Sequence, residues 1–275
     1  MAISFVGAGA VATGANPTVP VPAGIAAGDL LLIVAASTTT PGTPVGWTLY
    51  SAQGSGQFIT IFGKIATSSE SSVVISGTTT AVMLAYRGAT TYDVVSSYNT
   101  GTSTSATTLT TTTTFTNDYV ISIYADATGT TSTWTAPAST TQRVNSSNSS
   151  TVKGLLIVDE LQASAGATTA RTATISNSIA WSSVAIAIRQ PQAFYIDPDG
   201  GSDANNGVSF ATAWKTISAA TAIKKVFAGD TVRVKQSPIY NTGVNATWTS
   251  VTSRGIDIFG TQTITAATNA TPIVC

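Results

Sequence analysis

Short stretches of β-branched, aromatic and aliphatic residues alternate along most of the chain with clusters of Gly, Ser, Thr and Pro. Stretches of this kind, bounded by turn-forming residues, predict β-strands. We expect roughly ten to twelve strands before residue 190, including 30–36, 58–64, 72–76, 81–87, 119–124, 154–161 and 184–189. Helical patterns of the kind that βαβ units require are missing. The pattern therefore predicts an all-β fold, with a jelly-roll-like antiparallel β-sandwich as the preferred architecture.

Three polar segments interrupt the strand pattern. Residues 37–46 contain Pro41 and Pro44, and residues 136–151 contain the run NSSNSS at 145–150, so both segments predict solvent-facing loops. Residues 101–116 are almost entirely Thr and Ser, which fits either edge strands with polar faces or a mucin-like linker. We favour edge strands, because Leu109 and Phe115 interrupt the polar run and a strong strand pattern follows.

Composition and charge exclude several classes of function. The 275 residues carry 12 basic and 12 acidic side chains and no histidine. Histidine-dependent catalytic triads and histidine-ligated metal or haem sites are thus excluded within this chain. Zero net charge argues against nucleic-acid binding. We expect no cofactor.

The single cysteine, Cys275, excludes an intrachain disulfide. No apolar stretch approaches the roughly 20 residues of a membrane span, so membrane insertion is not expected. The first residues lack the basic segment of a secretory signal, which argues against secretion by that route.

A composition shift at 189–193 predicts a domain boundary, with domains at 1–190 and 194–275. Residues 194–207 read FYIDPDGGSDANNG, an Asp/Gly-rich turn after a strand. The motif WKTI at 214–217 follows, and GDTV at 229–232 opens another strand. The apolar spacing over 214–223 predicts a small amphipathic helix that could close an open solenoid end.

This order of elements resembles the N-terminal cap of right-handed parallel β-helix proteins, in particular the pectate-lyase-like folds of phage tailspikes. The resemblance implies a capped start of a β-helix in 194–275, with cap positions at Tyr195, Asp197, Gly201, Asp203, Gly207, Trp214, Lys215, Thr216, Ile217, Gly229 and Asp230. Only about two coils fit after Gly229, fewer than the three repeats that a stable stack normally needs. We therefore expect the chain to be the N-terminal part of a longer protein, or else a short one whose strand ends pair with sister subunits.

Residues 1–189 resemble, less specifically, a β-sandwich domain recurrent in virion structural proteins of tailed phages. The resemblance rests on segments such as GDLLLIVA at 28–35, AYRG at 85–88 and DELQ at 159–162. It implies a role in assembly or attachment and supplies no active-site motif for these positions.

Few residues carry candidate chemistry. Asp197, Asp199 and Asp203 lie beside two glycines and superficially resemble a calcium loop, but Val208 stands where an EF-hand needs glutamate. We favour a structural turn over a cation site there. The glycines at 7–9 do not form a dinucleotide site, because three prolines at 17–22 forbid the helix that such a site needs.

Paired carboxylates could hydrolyse glycosides without histidine. Asp159 and Glu160 are adjacent on a predicted strand, so they point to opposite faces and cannot converge on one bond. We assign no catalytic residue. Trp47, Trp134, Trp181 and Trp248 could stack on sugars, although we expect core packing. Arg87 and Arg171 are expected to bridge carboxylates at a subunit contact.

The two resemblances imply a phage virion protein that is assembled in the host cytoplasm. Low charge and polar Thr/Ser faces favour a homotrimer, the state that fibres and spikes of this type resemble. Its sandwich is expected to dock on capsid, portal or tail adaptor, and its distal end to bind a host surface glycan without turnover. A head fibre or decoration protein and a tail fibre are not distinguished. Two alternatives remain: the N-terminal part of a tailspike depolymerase with catalytic coils beyond residue 275, and a secreted adhesin or carbohydrate-binding module.

Overall fold

The computed structural model describes residues 2–77, 80–197, 199–216, 226 and 230–234. The chain divides into two compact units, residues 1–190 and 191–275. The strands of the first unit are β1 (Ser4–Ala8), β2 (Ala12–Thr13), β3 (Thr18–Val19), β4 (Leu30–Ser37), β5 (Thr48–Ser55), β6 (Gln57–Ile65), β7 (Val73–Val74), β8 (Thr80–Arg87), β9 (Thr91–Val95), β10 (Asn99–Thr107), β11 (Thr112–Thr113), β12 (Asp118–Asp126), β13 (Trp134–Thr135), β14 (Thr141–Ser146), β15 (Leu155–Gln162), β16 (Gly166–Ala167) and β17 (Thr172–Arg189). The second unit contributes β18 (Ala193–Ile196), a short 3-10 turn η1 (Phe210–Thr212) and β19 (Thr231–Val234).

The all-β prediction is confirmed, and the large sheets are antiparallel. Before residue 190, the described part of the chain contains eleven strands of five or more residues and six of two residues. Seven predicted strands are present, of which 72–76 is reduced to Val73–Val74 and 184–189 belongs to the much longer β17. No helix of the described residues is long and apolar enough to cross a membrane.

The polar segments divide between strand and loop. Residues 38–46 contain no strand and are mostly exposed, as predicted for a loop. The Thr/Ser-rich segment 101–116 forms β10 and β11, so the preference for edge strands over a linker is confirmed; β10 is the outermost strand in its sheet order. The loop predicted at 136–151 is wrong in part, because it contains β14.

The two large sheets have the same strand order. The first sheet runs β1-β8-β4-β6-β5 and the second runs β10-β17-β12-β15-β14. The sheets have six and seven strands, because β2 also pairs with β8, and β9 and β13 also pair with β17. If the five strands on the main path of each sheet are numbered along the chain, both orders read first, fifth, second, fourth, third. The small pairs β3–β7 and β11–β16 join the same chain intervals in the two halves. The strand order thus differs from a jelly roll, since each sheet is built from one contiguous half of the unit.

Alternate residues of the central strands give each sheet two buried faces. Leu30, Leu32 and Val34 of β4 form one cluster with residues of the second sheet, among them Ile121 and Ile123 of β12. This alternation is the two-residue period of a strand. The central strands are buried on both sides because the intervening residues pack against other parts of the same half.

The outer faces are covered in matching ways. Leu31, Ile33 and Ala35 of β4 pack in a cluster with Trp47, which precedes β5. Tyr124 of β12 packs in a separate cluster with Trp134, which precedes β14. Trp47, Trp134 and Trp181 are all buried, so their predicted core packing is confirmed, while Trp248 lies outside the described residues.

Candidate functional site

The described residues of the second unit contain a parallel pair of strands. Residues 193–196 of β18 pair in parallel with residues 231–234 of β19. On its other edge, Ile196 forms a parallel bridge with Trp214. Trp214 is fully buried, with 0% of its surface exposed, and its ring stacks on Phe194 with the centroids 5.1 Å apart. Its indole nitrogen Nε1 donates to the carbonyl of Asn205 at 2.8 Å.

The chain reaches Trp214 through a tight loop that depends on two glycines. A Cβ on Gly201 would lie 2.3 Å from the carbonyl oxygen of Trp214. Gly207 has a φ of +73°, and a Cβ there would lie 2.5 Å from the Trp214 ring. Larger side chains would therefore collide with the backbone or the indole, which explains the glycine-rich composition of this loop.

The acidic side chains of the loop accept hydrogen bonds from backbone amides. Asp197 Oδ1 accepts from the amides of Asp199 and Gly200, at 3.2 and 3.0 Å. Asp203 Oδ1 accepts from the amides of Lys215 and Thr216, both at 2.8 Å. The hydrogen bond from the Thr216 backbone amide contributes most to lowering the pKa of Asp203 below its ordinary value. Among the described residues, no three acidic, cysteine or histidine side chains are arranged to hold a metal ion.

Two further predicted cap positions, Tyr195 and Asp230, make contacts among the described residues. The Tyr195 ring contacts Phe210 edge-on at 4.7 Å, and Arg233 lies over its face at 5.8 Å. Asp230 Oδ1 accepts the amide of Gln192 at 2.7 Å. Ile217 and Gly229 lie outside the described residues, as does most of the helix predicted over 214–223. Trp214 itself forms the bridge to Ile196, so no helix begins at that residue.

The arginines singled out in the sequence form ion pairs within the first unit. Arg87 forms a bidentate ion pair with Asp29: Nε donates to Oδ1 at 2.9 Å and Nη2 donates to Oδ2 at 2.8 Å. Arg171 Nε donates to Glu160 at 2.7 Å. Their expected carboxylate partners are thus found in the same chain, and no subunit contact is needed to supply them.

Adjacent carboxylates on β15 point to opposite faces, as predicted. Asp159 is buried, and its Oδ2 accepts from Tyr86 Oη at 2.9 Å and Arg143 Nε at 2.8 Å. Its neighbour Glu160 is directed to Arg171. The two carboxylates therefore do not form a hydrolytic pair.

A pair of acidic side chains in the second sheet was not anticipated from the sequence. Asp118 opens β12 with 0% of its surface exposed, and neither carboxylate oxygen accepts a hydrogen bond from the described residues. Burial, followed by the charge of the neighbouring Asp93 and a hydrogen bond with it, raises the pKa of Asp118 to about 8, although the Arg189 charge acts in the opposite direction. The Asp93 Oδ2 atom accepts the amide of Thr114 at 2.5 Å. A carboxyl group with this pKa carries a proton at neutral pH, and the proton can be donated to the neighbouring Asp93.

Asp29 occupies the equivalent position in the first sheet and has the opposite electrostatics. It directly precedes β4, the second main strand of its half, as Asp118 begins β12. Burial favours the neutral form of Asp29, but hydrogen bonds from Arg87 and from the Ala26 amide outweigh it and leave the pKa below its ordinary value. The same topological position thus holds an ionised carboxylate in one half and a protonated one in the other.

A second unanticipated group surrounds Lys153, just before β15. Lys153 has only 1% of its surface exposed, and its Nζ donates to the side-chain oxygen Oε1 of Gln57. The neighbouring Asp126 is fully buried and accepts from the Gly154 amide and from Ser132 Oγ, both at 2.6 Å. The sequence offered one sign that Lys153 is buried. Charged residues are rare in this chain, and this lysine directly precedes Gly154 and an apolar run.

Comparisons with protein-family models, with curated proteins and with solved structures find no match to this chain.

Proposed function

We propose that this chain is a structural protein of a tailed-phage virion that attaches to host-surface glycan by binding without turnover. The observation that carries the proposal is the parallel pairing of β18 with β19, flanked by the bridge from Ile196 to Trp214. Parallel pairing of short strands around a packed aromatic residue is typical of a solenoid, in which each coil pairs with its neighbours. The motif resemblance of 194–216 to the cap of tailspike β-helices supports the same interpretation.

The finer architecture forms part of this proposal. In it, the two large sheets of the first unit stack as a β-sandwich, and residues 194–234 begin a right-handed parallel β-helix. The buried cluster shared by β4 and β12 supports the stacking, because side chains of both sheets contribute to it. The hydrogen bonds that the Asp197 and Asp203 side chains accept from backbone amides support a capping turn, because they fix the chain on either side of Trp214.

In the virion the first unit docks on capsid, portal or tail-adaptor proteins, and the protein assembles as a homotrimer. Zero net charge and Thr/Ser-rich strands support wide, uncharged subunit contacts. The second unit leads to the surface that meets the host glycan.

The proposal is tested by the composition of purified particles. Virions from the phage that carries the gene are purified, treated with a chemical cross-linker and analysed by peptide mass spectrometry. We expect peptides from residues 2–216 in the particle fraction, joined to those of a capsid, portal or tail protein and to a second copy of the chain. Recovery of the protein only in the particle-free supernatant overturns the proposal and favours the secreted adhesin.

A further inference from the structure

A buried lysine and a glutamine side chain meet between the two sheets of the first unit. Gln57 opens β6 in the first sheet, and its backbone carbonyl accepts Ser182 Oγ of β17 at 2.7 Å. Lys153 precedes β15 in the second sheet, and its backbone carbonyl accepts Thr80 Oγ1 of β8 at 2.7 Å. These two bonds fix the backbones from which the side chains extend, so that Lys153 Nζ reaches the Gln57 side-chain carbonyl across 96 positions of sequence.

We propose that Lys153 and Gln57 form an intramolecular isopeptide bond, with Asp126 as the group that relays the proton. Lys153 Nζ donates to the oxygen of the amide carbonyl whose carbon it would attack, so the fold holds the two reacting groups together. The contact joins the two halves of the unit, and it does so in a chain with one cysteine, where no intrachain disulfide is available.

The protonation states of the group suit this reaction. Burial lowers the pKa of Lys153, although the Asp126 charge opposes the effect, and so favours the neutral amine that acts as nucleophile. Burial raises the pKa of Asp126, against hydrogen bonds from Ser132 and Gly154, and so favours the protonated acid. A neutral lysine, with a carboxylic acid within its electrostatic reach, supplies the nucleophile and the acid for attack on an amide with proton transfer.

The reaction balances without an oxidant or other co-reactant. The lone pair of Lys153 Nζ attacks Cδ of Gln57, and the carbonyl oxygen takes up the electron pair of the C=O bond. When the carbonyl re-forms, the bond from Cδ to Nε2 breaks. One proton passes from Nζ to the departing nitrogen through Asp126, and ammonia leaves. One amide is exchanged for another, with loss of about 17 Da, the mass of ammonia.

Asp126 is held in place by a tightly packed surrounding. A Cβ on Gly154 would lie 2.3 Å from Asp126 Oδ1. Asn148 accepts the Ser132 amide at 2.6 Å and donates to the Ala127 carbonyl at 2.7 Å, which fixes the loop that carries the Ser132 hydroxyl. The carboxyl group is thus positioned from two sides while Lys153 lies within its electrostatic reach.

The test is the intact mass of the purified full chain under denaturing conditions, followed by a tryptic map. We expect a mass about 17 Da below that of the sequence, no cleavage after Lys153, and one branched peptide that joins the segment ending at Lys64 to residues 144–171. Lys153→Met and Gln57→Leu should each restore the full mass. Lys64→Met is the matched control, because Lys64 pairs with Glu70 instead, and it should keep the loss.

Asp126→Asn separates the chemistry from folding. This variant keeps the shape of the side chain, and we expect the cross-link to form on the order of 10²- to 10⁴-fold more slowly, with an unchanged far-ultraviolet circular dichroism spectrum. In the wild type, the rate of cross-link formation should depend on pH, and the cross-link should form slowly at a pH where Lys153 is protonated or Asp126 is ionised.

Two results overturn the proposal. One is a wild-type chain of full sequence mass in which trypsin cleaves after Lys153. The other is a mass loss that maps to a different site. This would be a loss of water, about 18 Da, at Asp126, or a loss of ammonia that persists in Lys153→Met and therefore arises from a succinimide. The cleavage after Lys153 and the position of any mass loss are both read from wild-type peptides, so a Lys153→Met variant that fails to fold does not obscure them.

Discussion

Replacing Asp118 by Asn should make the first unit more stable at neutral pH. In the folded chain the Asp118 carboxyl has a pKa of about 8, whereas the reference value is 3.8. Between these two values the folded state binds a proton that the unfolded state has released, so stability falls as pH rises. Each pKa unit corresponds to about 1.36 kcal/mol. At pH 7, about three units above the reference value, the full cost is about 4 kcal/mol, and relaxation around the buried pair reduces it to between about 2 and 4 kcal/mol.

An Asn at this position removes that cost, because it is neutral at every pH and its amide can donate to Asp93 in place of the shared proton. The assay is urea unfolding followed by tryptophan fluorescence from pH 4 to pH 8. We expect the wild type to lose stability across this range and Asp118→Asn to gain about 2 to 4 kcal/mol over it at pH 7, with little difference at pH 4.

Asp29→Asn provides the control, because Asp29 holds the equivalent position with its pKa lowered. Its contribution is present above the unfolded pKa and is lost as pH falls through the folded pKa. This variant should therefore be less stable than the wild type at pH 7. A pH profile of Asp118→Asn that runs parallel to the wild type from pH 4 to pH 8 would refute the reasoning.

Three further substitutions test the packing. Trp214→Ala removes the buried ring that stacks on Phe194 and should cost about 3 to 5 kcal/mol in the second unit. The loss is measured as faster proteolysis within residues 191–216, and unchanged protease resistance would contradict the prediction. Gly154→Ala forces a methyl group against Asp126 and should cost about 1 to 3 kcal/mol in urea unfolding, whereas a neutral effect would mean that the carboxyl group is free to move. Arg171→Ala breaks a partly exposed pair with Glu160 and should cost at most about 1 kcal/mol; a larger loss would show that the pair contributes more than an exposed contact.

Much of the fold follows from local patterns in the sequence. The two-residue alternation that places Asp159 inward and Glu160 toward Arg171 could be predicted, because neighbours on a strand must point to opposite faces. The Thr/Ser run of β10 was also predictable, since β-branched residues suit an edge strand with one polar face.

The strand β14 was missed for a physical reason. It is the outermost strand of its sheet, and Val144 is the one buried residue in it. A strand with so little apolar surface has the composition of a loop, and only its pairing with β15 makes it a strand. Such pairing depends on tertiary structure, which local composition does not encode.

The buried ionisable groups could not be placed from sequence, because their partners are distant along the chain. Lys153 meets Gln57 across 96 positions, and Asp118 meets Asp93 through the pairing of β9 and β12 with β17. The matching positions of Asp29 and Asp118 become apparent only once the shared strand order of the two sheets is known. In contrast, the turn at 197–203 was suggested by its Asp and Gly content, because those residues favour turns locally.

The proposed attachment without turnover is tested most directly by incubating the purified chain with the surface polysaccharide of the host. Two quantities are measured together: the amount of protein bound and the size distribution of the polysaccharide. We predict saturable binding with an unchanged size distribution. Binding accompanied by shortening of the polysaccharide would contradict the account and identify a depolymerase, and the absence of binding would contradict the attachment role itself.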